Sequence, residues 1–135
     1  MYIFLRYLTG NRVAAFIGGF MVTFSPYRMA HAYGHFHLLA MEWVPLYMMY
    51  FIRALEERNK KDIVLASFFL ALTTLSALYF VFYSLVFSLL TASYFYFKKR
   101  DPFPLFKLIV IGAGAVLILS PLLAMALQHP WKGPR

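Results

Sequence analysis

The chain has no cysteine, which excludes a disulfide framework, a cysteine-ligated zinc site and a thiol nucleophile. Charge is scarce: 13% of its 135 residues are Asp, Glu, Lys or Arg, against about 25% in ordinary soluble domains. Acids are fewest, five against 13 Lys and Arg. There is no phosphate-binding glycine loop and no Ser–His–Asp arrangement. No small-residue cleavage site follows the opening apolar run, which Arg6 interrupts, so MYIFLRYLTGNR does not read as a signal peptide. It reads as the cytoplasmic end of a helix that starts earlier, and the chain is expected to be a piece of a larger protein.

What fills the sequence instead is apolar: 62% hydrophobic and 20% aromatic. A membrane-spanning helix needs about 20 largely apolar residues. Val13 to Tyr27, Phe36 to Ile52, Ile63 to Phe97 and Leu108 to Leu127 qualify or nearly so. The block from Ile63 to Phe97 carries no charge. As one helix it would measure about 52 Å at about 1.5 Å per residue, far more than the roughly 30 Å hydrocarbon core. It is therefore expected to double back near TTLSALY, Thr73 to Tyr79, where Thr73, Thr74 and Ser76 can bond backbone groups freed at a break. The predicted fold is all-α: one polytopic bundle over residues 1–135, with about five membrane segments including a short helical hairpin. Gly18, Gly19, Gly112 and Gly114 are expected to allow close helix contact.

The basic residues sort by side. With a cytoplasmic N-terminus, Arg6, Arg12, Arg53, Arg58, Lys60, Lys61, Lys98, Lys99, Arg100 and Lys107 lie inside. Only Arg28, Lys132 and Arg135 lie outside. This is the asymmetry of a multi-pass protein of the cell membrane. It also argues against a nucleic-acid-binding surface, which would gather the charge on one stripe. Asp62 is expected to cap the helix that begins at Ile63.

The scheme sends HAYGHFH, His31 to His37, to the outer side with the TTLSALY turn and the tail QHPW. Arg28 fits either a snorkelling anchor or a phosphate ligand. His31 and His35 share a helical face, and with His37 they could supply three metal ligands. The favoured reading is interfacial histidine beside Tyr33 and Phe36, and no metal is assigned. Glu42, about a turn and a half into an apolar segment, reads as a proton acceptor, a metal ligand or the partner of Arg28. The structural alternative, a buried ion pair that fixes packing, is preferred, because no second carboxylate is at hand for acid–base work. Pro45 is expected to kink this helix and free a carbonyl near Met41. Tyr79 joins the list of cavity candidates.

From Phe24 to Glu57, FSPYRMAHAYGHFHLLAMEWVPLYMMYFIRALEE resembles the middle portion of GT-C type membrane glycosyltransferases of bacteria and archaea. The shared features are a glycine-bearing span (Gly18, Gly19), F-S-P-Y-R, a histidine segment, W-x-P-L (Trp43 to Leu46), a basic turn and a Leu-Ser-x-x-Tyr turn at Leu75 to Tyr79. The resemblance implies sugar transfer on the outer face from a polyprenyl-phosphate-linked donor, with the lipid phosphate bound by the protein and in some members a divalent metal. It also implies an acidic base in a first outer loop, which this chain does not carry. The candidates for the phosphate or cavity are Arg28, His31, His35, Glu42 and Tyr79, and the catalytic residues are unassigned. Two other readings stand beside it: a non-catalytic scaffold subunit that packs with a membrane protein partner, and a small transporter component using Glu42 and the histidines.

Overall fold

The computed structural model describes residues 1–31, 42–57, 59–99 and 103–128. Seven helices form among them: α1 Tyr2–Thr9, α2 Arg12–Thr23, α3 Pro26–His31, α4 Trp43–Glu57, α5 Lys60–Ser76, α6 Leu78–Lys99 and α7 Phe103–Gln128. No strand occurs among the described residues, as an all-α fold requires.

Local chemistry sets the helix ends. α1 stops at Gly10, whose φ of 65° returns its N–H to the Arg6 carbonyl. Asn11 then caps α2 by accepting from the N–H groups of Val13 and Ala14. The two helices pack closely because α2 presents glycines: a Cβ on Gly18 would lie 2.5 Å from Leu5 Cδ1, and one on Gly19 would lie 3.5 Å from the Tyr2 nitrogen. The cap of α5 is Asn59, which accepts from the Lys61 N–H. Asp62, expected to be that cap, instead sits inside the first turn and is buried.

The uncharged block does break where expected. α5 ends at Ser76, Ala77 is fully extended, and α6 starts at Leu78. The hydroxyls of Thr73, Thr74 and Ser76 do not bond the groups freed at the break. They donate back to the carbonyls of Phe69, Leu70 and Leu72, which satisfies the hydroxyls within the apolar wall.

Three long-range contacts establish the helix directions. Lys107 of α7 donates to the carbonyl of Ala54, near the end of α4. Gly114 of α7 faces Ser67 of α5, where a Cβ would lie 2.6 Å from Oγ. Tyr47 of α4 bonds Ser88 of α6 at 2.6 Å. The α4–α5 turn, the end of α6 and the start of α7 therefore lie at one end of the bundle. α5 rises from it, α6 returns and α7 rises again.

The interior packs large side chains, among them Tyr47, Phe51, Leu70, Phe95 and Ile111, against small and hydroxyl-bearing residues. Ala54, Ala66, Ala71, Ala92 and Ala115 are buried, as are Ser67, Thr73, Ser84 and Ser88. Many other bulky apolar residues face outward: Leu78 and Phe97 are each 77% exposed and Leu117 is 73% exposed. Such an apolar exterior suits a lipid environment. Helical segments Leu78–Lys98 and Pro104–Leu122 are long and apolar enough to cross a membrane, and only 28% and 22% of their most apolar windows are buried. The core helix of a soluble protein would be mostly buried. Among the described helices these two alone meet that length and composition, where about five spans were expected. α2, α4 and α5 have 12, 15 and 17 residues.

Of the expected packing glycines, Gly112 meets open space, unlike the other three. Pro121 lies within α7 and cannot donate to the carbonyl of Leu117. The hydroxyl of Ser120 does so instead, at 2.7 Å.

The Tyr47–Ser88 pair generates a test. Ser88 donates its single hydroxyl hydrogen to the Ser84 carbonyl, so Tyr47 must donate to Ser88. Ser88→Ala strands the buried Tyr47 hydroxyl and is expected to cost about 1–3 kcal/mol. Tyr47→Phe leaves Ser88 bonded and costs less. Added to Tyr47→Phe, Ser88→Ala should cost almost nothing. Unfolding free energies of the four proteins in lipid or detergent check this ordering.

Candidate functional site

Among the described residues, a cavity lies at the end of the bundle away from the α4–α5 turn. Its volume is about 530 Å³, and its lining includes Arg28 and Glu42 with Phe4, Val22, Val44 and Met48. Three helix starts and ends build it. F-S-P-Y-R is a helix-initiation sequence: the Ser25 hydroxyl accepts from the Arg28 N–H at 3.5 Å, and Pro26 takes the first helical position, where its missing N–H costs nothing. This places Arg28 one turn into α3, at the rim of the α1–α2 hairpin. Glu42 comes from the other wall, directly before α4.

The placement of Glu42 corrects the sequence reading. It is not buried part-way along a helix. α4 begins at Trp43, so Glu42 is an exposed residue at the positive end of the helix dipole, which favours a carboxylate there. The same boundary removes the expected kink at Pro45. Proline in a first turn lacks only an N–H that has no intrahelical partner.

Arg28 and Glu42 thus share one cavity. His31 closes α3, but its side chain lies outside the described residues, as do His35 and His37. Tyr79 is on α6, beside Phe80 at 4.5 Å between ring centroids, and is not among the lining residues. No group of three His, Asp or Glu residues suited to a metal occurs among the described residues. Met1 also lines the cavity. Burial and then the Arg28 charge hold its amine below the usual range, while Glu42 acts in the opposite sense. Met1 stands beside Pro45 and Met48, and Tyr7 bonds Glu56 near the end of α4. The Gly10 turn therefore lies at the end of the bundle that holds the α4–α5 turn, and Met1 lies at the other.

A second polar cluster, at the opposite end, was not singled out from the sequence. Lys107 is 2% exposed and donates to the carbonyl of Ala54, in the last turn of α4. The ammonium also sits at the negative end of that helix dipole. Arg53 lies 3.4 Å from Glu57 and 3.7 Å from buried Asp62. Partial burial disfavours the Arg53 charge, but Asp62 and Glu57 more than offset it and raise its pKa. Tyr7 donates to Glu56 at 2.6 Å, tying α1 to the same end. The available signal was Lys107 itself: a cation inside FPLFKLIV needs an acceptor, and a neighbouring helix end supplies one.

Compared with known protein families, curated proteins and solved structures, the chain matches none.

Burial and the bond to Glu56 raise the Tyr7 pKa above its ordinary value. A raised folded-state pKa gives stability that is complete below the unfolded value, about 10, and is lost as pH climbs past the folded one. The advantage of the protein over its Tyr7→Phe variant should hold from pH 6 to 9 and shrink only in strong alkali. Melting temperatures of the two across that range provide the check. A gap that closes between pH 6 and 8 would exclude the assigned bond.

Proposed function

We propose that the chain is part of a multi-pass membrane glycosyltransferase-like protein of the GT-C type, and that its outer cavity receives the phosphate end of a polyprenyl-phosphate-linked sugar. One observation carries this reading: Arg28 lies in the wall of a cavity whose other lining is largely apolar. A planar guanidinium suits a phosphate, and the surrounding Phe4, Val22, Val44 and Met48 suit the first isoprene units. Glu42, across the same space, would orient a sugar hydroxyl or balance Arg28 when the lipid is absent. Supporting features are the resemblance around F-S-P-Y-R and W-x-P-L and the outward apolar surface.

In this reading about five segments cross the cell membrane. The Gly10 turn, the α4–α5 turn and the Lys98–Lys107 region face the cytoplasm, and the histidine segment faces outward. α2, α4 and α5, of 12, 15 and 17 residues, would be short spans. Glycosyl transfer needs a base to deprotonate the acceptor. Glu42 is the only carboxylate among the described residues lining the cavity, and the early acidic loop of the resembled family is absent from the chain. That single acid favours a second reading, a non-catalytic subunit that holds the lipid for a membrane protein partner. In either case the chain alone is expected to bind without turning over.

Binding separates these proposals from a purely structural role. In nanodiscs, the protein should bind polyprenyl phosphate at least ten times more tightly than the neutral polyprenol. Arg28→Gln should abolish the difference. Equal affinity for phosphate and alcohol, or an Arg28→Gln variant that binds like the parent, would remove the assignment. Topology has its own check, simplified by the lack of native cysteine. Gly34→Cys should react with an impermeant maleimide from outside intact cells, and Arg100→Cys only after permeabilisation.

A further inference from the structure

At the basic end, the first turns of α5 form an open trough on the outer surface of the bundle. It is lined by Lys60, Lys61, Val64 and Leu65 and encloses about 440 Å³. We infer that this trough is a binding site for an anionic phospholipid of the leaflet at the basic end, with the headgroup phosphate between the two ammonium groups and an acyl chain along α5. The inference rests on the membrane reading above, but not on the lipid-linked sugar or on Arg28.

The geometry follows from helix periodicity. Residues four apart lie one above the other, so Lys60 stands over Val64 and Lys61 over Leu65. The two cations thus form the rim of an apolar channel that runs along the helix. Beyond it, Val64, Phe68 and Leu75 continue as exposed apolar residues, 65%, 45% and 58% accessible. Their spacing keeps them near one face over about 16 Å of helix. A charged rim above an apolar track matches the division of a phospholipid into headgroup and chain.

Charge complementarity points the same way. The nearby acids are engaged elsewhere: Asp62 turns inward beside Arg53, Glu57 pairs with Arg53, and Glu56 accepts from Tyr7. Among the described residues, no carboxylate pairs with Lys60 or Lys61, and both are exposed. With Asp62 turned inward, the two adjacent cations have no anion beside them among the described residues. Basic residues near a membrane surface attract anionic lipid. An amphiphile seated in the trough would add contact with Val64 and Leu65 that a soluble anion cannot make.

The test uses the full chain in detergent, titrated with phosphatidylglycerol or phosphatidylcholine and read by native mass spectrometry. The expected result is a preference of about tenfold for phosphatidylglycerol. Lys60→Gln/Lys61→Gln should remove the preference. Val64→Trp, which keeps every charge and fills the channel, should weaken phosphatidylglycerol binding about fivefold. The charge-matched control Lys98→Gln/Lys99→Gln should leave it unchanged. Equal losses in the two double variants would reduce the effect to overall charge and overturn the site. So would glycerol phosphate binding as tightly as the lipid, or no lipid preference in the parent protein. A chain that failed to enter bilayers at all would defeat the membrane reading itself, whereas a membrane-inserted chain without the preference would defeat this inference alone.

Discussion

The bond from Lys107 to the last turn of α4 is the contact on which the arrangement of the bundle turns. A lysine buried in an apolar segment has to find acceptors, and a helix C-terminus has carbonyls to spare. Meeting both needs at once fixes where α7 starts relative to α4. Arg53, between Asp62 and Glu57, holds α5 to the same place, and Tyr7 brings in α1 through Glu56. Once this end is set, the remaining helices rise from it in fixed register, and the cavity with Arg28 and Glu42 lies at the far end.

Between the two ends, cohesion comes from proximity. Ser84, Ser88 and Ala92 recur at four-residue spacing on α6 and are wholly buried, while Ser67 accepts the bare backbone of Gly114. Apolar mass is spent on the outer surface, where it would be a liability in water. The polar atoms left within are bonded mainly to backbone carbonyls of their own helix, at Ser67, Thr73, Thr74, Ser76 and Ser88. Such bonds need no partner helix; Ser84, whose buried Oγ has no partner among the described residues, is the exception.

Much of the plan was legible in the residues. An uncharged block of thirty-five residues is too long for one crossing, and the break falls inside TTLSALY, at Ala77. Length and charge are additive along a chain, so they can be judged before folding. The cavity was half legible. Arg28 and Glu42 were picked out as costly groups in an oily setting, and both line one cavity. What failed was the boundary of α4. Continuous hydropathy through LLAMEWVPLY hides a helix start, and Pro45 was read as a breaker in mid-helix rather than as a residue tolerated in a first turn. Tyr79 was drawn toward the site by its place in the sequence, whereas the direction of its side chain depends on how α6 is rotated. The Lys107 staple was hidden because its partner is a backbone carbonyl, which no side-chain pattern announces.

Ala77 is the whole of the joint between α5 and α6. A linker of one extended residue has no slack with which to absorb an error in phase. Inserting a single amino acid beside it would swing α6 by about 100° about its own axis, turning its hydroxyl seam toward the outside of the bundle and its phenylalanines into the space where alanines now touch. Evolution can therefore exchange side chains along these helices far more freely than it can change the count of residues between them.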